Sequence, residues 1–410
     1  MTNPAFDLIG LTDLRNDPRY RDIDGELSDG ERLVVVVIDS GIDATNPRLD
    51  DNFAAFVNFV DVGVGIPGQV ITDPNQTFDF NSHGTHVAGT VGAEDPDIGV
   101  ATGVDLIALQ VGLAGPNNPS RLIDINATTE ALQWVLDNRN NYNIVAVNMS
   151  LGGGFFPPQD PSTDQRGPII DQLEQAGITV VSATGNNYGD IATDPALIGA
   201  GVTQQSIGSP GILSTLAVGA VHKEASPSFA PFDSNPVANA ITGFSQRRQF
   251  DSMIFAPGAF ITSTVPGDGL GDKAGTSMAS PHIAGAVALL QEAAIEFGGR
   301  QLTTTEVRDI MRGTAEQIVD GDDESHILPI TSTGETFLLL DIYEAVQEVE
   351  RLFSNNDPDP DPDPDPDPDP DPDPDPDPDP DPDPDPDPDP DPDPDPDPQG
   401  TDLDGTLSTA

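Results

Sequence analysis

Short apolar runs recur along the chain from Leu33 to about Phe353 and alternate with amphipathic stretches. Several of these runs are so continuous in Val, Ile and Ala that both faces of the strand must be buried. They occupy residues 33–38, 104–111, 143–150, 178–184 and 215–221. Residues 125–139 and 167–177, which lie between runs, have helical periodicity. The alternation predicts an α/β fold with three layers, in which a mostly parallel twisted sheet has helices on both faces.

Ligands of such sheets bind at the carboxyl ends of the strands, so polar residues at those ends are the first candidates for functional residues. The first run ends in Asp39, within DSGID, and a carboxylate there is partly desolvated and needs a strong donor. Asp at a strand end is common, so this signal is weak alone. His83 opens a helical pattern in NSHGTHVAGTVGA, residues 81–93. An imidazole beside a carboxylate is held in one tautomer and can accept a hydroxyl proton.

A second histidine follows in the same segment. His86 lies one turn after His83, and we interpret it as a hydrogen-bonded structural residue. The competing interpretation is a His-x-x-His metal pair, but no acidic third ligand lies at helical spacing.

Two further segments offer groups for acyl chemistry. In AGTSMASPHIAGAVALLQEA, residues 274–293, small residues lead into an apolar helix and place Ser277 near its first turn. Unpaired amides and positive potential at a helix start favour an oxyanion there. In VVSATGNN, residues 180–187, Asn186 follows a buried strand and offers a neutral amide donor. The alternative for that Asn is a simple turn.

Five motifs stand in a fixed order: DSGID, HGTHVAG, SLGGG, ATGN and GTSMASPHIAG. Together they resemble the subtilisin family of serine endopeptidases over roughly residues 30–295. The resemblance implies a serine-type endopeptidase with a catalytic triad: Ser277 as nucleophile, His83 as general base and Asp39 as the group that orients it. It also implies an oxyanion hole formed by Asn186 and the Ser277 amide. The related serine-carboxyl peptidases use Glu and Asp where this chain has His83 and Asn186, so they are disfavoured.

The resemblance also implies where a substrate lies. In the family, an extended peptide substrate pairs with the strand that carries SLGG. The residues of this chain that match that strand and the walls of the substrate pocket are Ser150, Leu151, Gly152, Gly153, Ala183, Thr184, Gly185 and Gly208. Because Asn187 beside the pocket is neutral, we expect a large apolar or neutral side chain at P1 and broad specificity.

Family members need no cofactor for the chemistry, but many bind structural calcium. We expect the usual strong site to be lost here. The family's HPDL reads NPRL, with Arg48 in place of the ligating Asp, and Pro96 replaces a ligating Asn. Asp95 and Asp97 are the residues left for a modified site, and calcium elsewhere on the acidic body stays open.

Composition excludes several functions. Sixteen basic against seventy acidic residues give a net charge of −54, so a nucleic-acid partner is not expected. Without cysteine there are no disulfides or thiol nucleophiles. No apolar run reaches the length of a membrane span. The resemblance implies an extracellular or cell-surface place of action on protein or peptide substrates, although the first residues do not form a conventional signal peptide. We expect a monomer.

We predict four regions: an N-terminal extension at 1–30, a peptidase domain at 31–353, a disordered spacer at 354–398 and a short polar segment at 399–410. The spacer contains twenty-one Asp-Pro repeats at 357–398, which cannot form a helix and would extend to about 130 Å. Three other functions stay open: a catalytically silent binding module, a narrow-specificity processing protease and an interaction protein that works through the acidic tract.

Overall fold

A ten-stranded sheet forms the centre of the protein in this computed structural model, which describes residues 3–116, 118, 122–152, 164–199, 215–226, 228–229, 232–324, 326–327 and 330–354. All of these residues belong to one compact unit, Met1–Pro358. The strands are β1 (Val34–Asp39), β2 (Phe53–Asn58), β3 (Val70–Ile71), β4 (Asp105–Gln110), β5 (Ile144–Met149), β6 (Thr179–Ala183), β7 (Leu216–His222), β8 (Ser228–Phe229), β9 (Asp233–Ser234), β10 (Met253–Ala259), β11 (Ile261–Thr264), β12 (Leu270–Lys273), β13 (Glu316–Val319) and β14 (Thr336–Leu339).

The order in the main sheet is β13-β14-β10-β7-β6-β5-β1-β4-β2-β3. The inner pairs are parallel, whereas β3 and β13 pair antiparallel at the two edges. Two small antiparallel pairs, β8 with β9 and β11 with β12, lie outside this sheet. The carboxyl ends of the parallel strands therefore meet along one edge, which is where ligands of such sheets bind.

Helices cover both faces of the sheet. They are α1 (Pro4–Leu8), α2 (Leu11–Asn16), α3 (His83–Gly92), α4 (Ile125–Asn138), α5 (Gly167–Gln175), α6 (Tyr188–Thr193), α7 (Pro195–Gly199), α8 (Thr276–Gly298), α9 (Thr304–Gly313) and α10 (Ile342–Ser354), with a short 3-10 turn at Pro74–Gln76. In the part of the chain that the structure describes, none of the helices combines the length and apolar character needed to span a bilayer.

Alternate residues of β1 point into two different cores. Val35 and Val37 belong to the core that α3, α8 and α10 share, whereas Val34 and Val36 belong to the core that α4 and α5 share. This alternation across a strand buried on both faces explains why the sequence of β1 is a continuous run of valines. The predicted three-layer α/β fold is confirmed.

Several apolar residues among the first thirty contribute to the hydrophobic core. Phe6, Ile9, Leu11, Leu14 and Tyr20 are buried in the core that α8 and α10 share. Two short helices, α1 and α2, place the apolar side chains of this N-terminal extension inside the core.

Candidate active site

The carboxyl end of β1 brings Asp39 against His83. Asp39 is the last residue of the strand and is buried, and His83 is the first residue of α3. Nδ1 of the imidazole lies 2.8 Å from Asp39 Oδ1. A carboxylate accepts, so Nδ1 carries the proton and Nε2 is left as the basic nitrogen.

The start of α3 is fixed by a second acid that sequence reasoning missed. Asp79 Oδ2 accepts hydrogen bonds from the amide and hydroxyl of Thr85 at 2.9 and 2.7 Å. Its Oδ1 accepts from the Ser40 hydroxyl and from the amides of Asn81 and Ser82 at 2.9–3.0 Å. A carboxylate at a helix N-terminus is stabilised by the unpaired amides and the helix dipole. Asp79 therefore holds the residue before His83 in place.

Gly84 lets this helix approach β1 closely. A Cβ there would lie 2.1 Å from the carbonyl oxygen of Gly41 and 3.2 Å from Cβ of Asp39. Any larger residue would push α3 away and separate His83 from Asp39, which gives a physical reason for glycine after the histidine.

Ser277 is the second residue of α8, so its backbone amide lies in the turn that has no intrahelical acceptor. Its hydroxyl donates to the carbonyl oxygen of Ser150 at 3.2 Å, and Ser150 Oγ donates to the carbonyl of Ser277 at 2.8 Å. Among the described residues, no hydrogen bond joins Ser277 to His83. Both side chains line one cleft, and catalytic hydrogen bonds are often long or poorly aligned before substrate binds.

Asn186 faces the same cleft with a defined amide orientation. Its Oδ1 accepts from the amide and hydroxyl of Thr276 at 2.8 and 2.9 Å. The backbone donor requires an oxygen at that position, so Nδ2 is the free end of the amide. A Cβ on Gly275 would lie 3.1 Å from Nδ2, which shows that the glycine leaves this donor uncovered. Thr276, which orients the Asn, is another residue that sequence reasoning missed.

The cleft has a volume of about 530 Å³. Besides the residues above, its lining includes several of the predicted substrate contacts: Ser150, Leu151, Gly152, Ala183 and Gly185. Thr184 is buried behind the wall, where its amide and hydroxyl donate to Val218 O, both at 3.1 Å. Gly153 and Gly208 lie outside the described residues. Asn187 also lines the cleft, and its Nδ2 donates to Asp190 Oδ2 at 3.0 Å.

Two opposed influences set the basicity of His83. Burial lowers the pKa of His83, but the charge and hydrogen bond of Asp39 raise it by more, so the net pKa lies above the usual imidazole value. Lys273 acts with burial, because its positive charge disfavours the imidazolium. Lys273 lines the cleft and donates from Nζ to Ser82 Oγ at 3.0 Å.

The surroundings of His86 are those of a histidine that supports the fold. It is buried, and Nε2 lies 2.9 Å from Ile261 O and 3.0 Å from Gly271 O. Burial lowers the pKa of His86 to about 4, so the ring is neutral at ordinary pH. These bonds tie α3 to the β11–β12 pair.

The residues at the family's calcium position do not fit a cation. Arg48 Nε donates to Asp95 Oδ2 at 3.2 Å, and Asp95 Oδ1 accepts from the Asp97 amide at 3.1 Å. Both carboxylate oxygens of Asp95 are thus in use, and a guanidinium stands beside them. A divalent cation would be repelled there.

Comparisons with known proteins identify a family for this chain. The Subtilase family matches residues 30–338. Subtilisin NAT of Bacillus subtilis subsp. natto is 33% identical over 296 residues, covering 70% of this chain and 61% of the relative. Subtilisin of Bacillus pumilus is 34% identical over 291 residues, covering 70% and 84%. The major intracellular serine protease of Bacillus subtilis (strain 168) is 29% identical over 285 residues, covering 68% and 74%.

The fold and the match to the family define the class: this chain belongs to the subtilase family. It spans about three fifths of the length of the first relatives it matches.

Proposed function

We propose that this protein is a serine endopeptidase that uses Asp39, His83 and Ser277 as a catalytic triad. The observation that carries the proposal is the 2.8 Å contact between Asp39 and His83 in the cleft that Ser277 and Asn186 also line. An acid, a base, a hydroxyl and an amide donor in one cleft are the groups that peptide hydrolysis needs.

In this mechanism Ser277 Oγ attacks the scissile carbonyl carbon while His83 Nε2 takes the hydroxyl proton. Asp39 keeps the ring oriented and stabilises the imidazolium. The oxygen of the tetrahedral intermediate becomes negative and accepts hydrogen bonds from Asn186 Nδ2 and the Ser277 amide. His83 then returns the proton to the leaving amine, and water releases the acyl group by the same steps in reverse.

The first test is hydrolysis of casein by the purified protein with and without a serine-directed inhibitor. We expect cleavage that the inhibitor abolishes. Hydrolysis that such an inhibitor leaves unchanged, or failure to hydrolyse both casein and every peptide of a library, would contradict the proposal.

For specificity we propose an extended peptide paired with Ser150–Gly152 and a P1 side chain against Leu151, Ala183 and Gly185. The walls are apolar or neutral, although Asp190 lies behind the Asn187 amide. We therefore expect large apolar or neutral P1 residues in a scanning library, and a strong preference for Lys or Arg would overturn this part.

A second candidate is a catalytically silent binding module. The hydrogen bond from the Ser277 hydroxyl to Ser150 O favours it, because a nucleophile must turn to reach His83. Reaction with a fluorophosphonate separates the two, since only an activated serine is labelled. A narrow-specificity processing protease would be labelled but would spare casein.

We further propose that residues 31–353 form the peptidase domain, with 1–30 as an extension and 354–398 as an acidic spacer before the segment 399–410. Deletion of 357–398 should leave peptidase activity intact, and its loss would assign the tract a direct role. The family resemblance favours an extracellular or cell-surface place of action, and two of the relatives have names that describe an intracellular protease. Fractionation of the source cells and medium decides between these.

A further inference from the structure

The loop that follows α3 directs several backbone carbonyls at the N-terminal segment. Arg15, on α2, donates from one terminal nitrogen to Pro96 O at 2.5 Å and from the other to Gly99 O and Val100 O at 2.7 and 3.0 Å. Asn3 Nδ2 donates to Asp97 O at 2.9 Å. One guanidinium therefore donates hydrogen bonds to three backbone carbonyl oxygens, which in a helix or sheet would accept from backbone amides.

An aromatic ring and two carboxylates also hold Arg15 in position. Its guanidinium carbon lies 5.1 Å from the centre of the Phe6 ring, and the carboxylates of Asp24 and Asp97 attract its charge. Burial lowers the pKa of Arg15 to about 10, so the side chain is a cation at neutral pH.

Arg48 contacts the start of the same loop. Its side chain pairs with Asp95, and its carbonyl accepts the amide of Glu94 at 3.1 Å. The loop thus has one arginine on its carbonyls and another on its carboxylate.

We propose that these two arginines replace the structural calcium of the family: Arg15 is a built-in cation for the loop carbonyls, and Arg48 neutralises the carboxylate. Carbonyl and carboxylate oxygens are the ligands that calcium takes in proteins. Here Arg15 binds three carbonyl oxygens of the loop and Arg48 binds one carboxylate oxygen of Asp95, so the loop 94–101 is ordered without the ion.

The loop is hydrogen-bonded to the helix that carries His83 into the cleft. The amides of Val100 and Ala101 donate to the carbonyls of Thr90 and Val91, at the end of the helix that starts with His83. Docking of the N-terminal segment, rather than the calcium concentration, then controls the order of this region. The proposal does not depend on whether the cleft is catalytic.

The test is amide hydrogen exchange of residues 94–101 in the full chain, made as Ser277→Ala to prevent self-cleavage. We expect the same protection in excess calcium and in chelator. Arg15→Ala should make exchange there about tenfold faster or more, because it removes charge-assisted hydrogen bonds. Arg21→Ala is the matched control, since it removes the same charge from an exposed side chain of the same segment.

Calcium-dependent protection of 94–101 in the parent would overturn the proposal, as would equal protection in Arg15→Ala and Arg21→Ala. The local measurement matters because calcium adsorbed at other carboxylates, such as Asp322, Asp323 and Glu324, would change the melting temperature without changing this peptide. Should Arg15→Ala fail to fold, Arg15→Gln removes the charge but keeps an amide donor, and the same two comparisons apply.

Discussion

At the scale of single residues, the protonation of His83 decides when the cleft is able to react. Asp39 raises the pKa of the ring and Lys273 lowers it. A general base must be unprotonated, so the acid limb of the pH–rate profile follows this pKa. We expect that limb above about pH 6.5, the usual imidazole value.

Lys273→Gln removes a positive charge that disfavours the imidazolium, so the pKa of His83 should rise and the acid limb should move to higher pH. The measurement is kcat/KM against pH on a neutral peptide. Lys223→Gln is the control, because it changes the only other lysine of the chain, which does not line the cleft. A limb that stays in place or moves to lower pH would contradict the argument.

Asn186→Ala removes the side-chain donor for the developing oxyanion. We expect kcat to fall by about 10²–10³ with little change in KM, because the donor acts mainly in the transition state. This magnitude is the one measured for the oxyanion Asn of a subtilisin. A raised KM with unchanged kcat would instead make Asn186 a ground-state contact.

At the scale of elements, the buried strands were predictable because continuous Val-rich runs suit only a sheet covered on both faces. Predicted strand 33–38 is observed as Val34–Asp39, and 178–184 as Thr179–Ala183. β2 was not predicted, because the short apolar run in FAAFVN does not alternate and so does not distinguish a strand from a segment of buried helix. The helices α1 and α2 were missed because short helices depend on tertiary packing more than on local pattern.

The candidate site was predictable only in its motif residues. Asp79, Thr276 and Arg15 were missed, since each acts through contacts between segments far apart in the chain. Asp79 is an ordinary polar residue in FDFNS, and nothing in that stretch announces that it fixes the start of α3. The pairing of Arg15 with a loop more than eighty residues away likewise needs the fold.

Glu292 of α8 binds the N-terminal segment, and its ionisation makes the stability of the fold depend on pH. It is buried and accepts the amides of Asp24 and Gly25 at 2.8 and 2.5 Å. Burial raises the pKa of Glu292 to about 8. The folded pKa exceeds the unfolded value of about 4.3, so the stability from this group is complete below about pH 4.3 and is lost as the pH rises through about 8.

Glu292→Gln keeps an accepting oxygen but cannot ionise. Above pH 8 we expect the variant to exceed the parent in free energy of unfolding by on the order of 5 kcal/mol, with convergence near pH 4.5. Urea unfolding across pH, in Ser277→Ala protein, measures this. Glu296→Gln, at an exposed position one turn later, is the control, and identical pH slopes for all three proteins would refute the assignment.

At the scale of the whole molecule, charge repulsion works against the compact state. Seventy acidic residues against sixteen basic ones leave a net charge of −54, of which −21 lies in the Asp-Pro tract and −33 in the rest of the chain. Salt shortens the reach of these charges, from about 10 Å at 0.1 M to about 3 Å at 1 M. A body with this balance should therefore be more stable in salty water.

We expect the melting temperature to rise by about 3 °C or more between 0.1 and 1 M NaCl. The same scan on protein without 357–398 separates the contribution of the body from that of the Asp-Pro tract. A flat response in both proteins would argue that the acidic surface serves solubility alone.

The central claim is that Ser277 is a nucleophile activated by His83, and fluorophosphonate labelling followed by peptide mapping tests it most directly. The predicted result is one adduct per chain, on Ser277, which disappears in Ser277→Ala and in His83→Ala. A label on another residue, or undiminished labelling of either variant, would contradict the account.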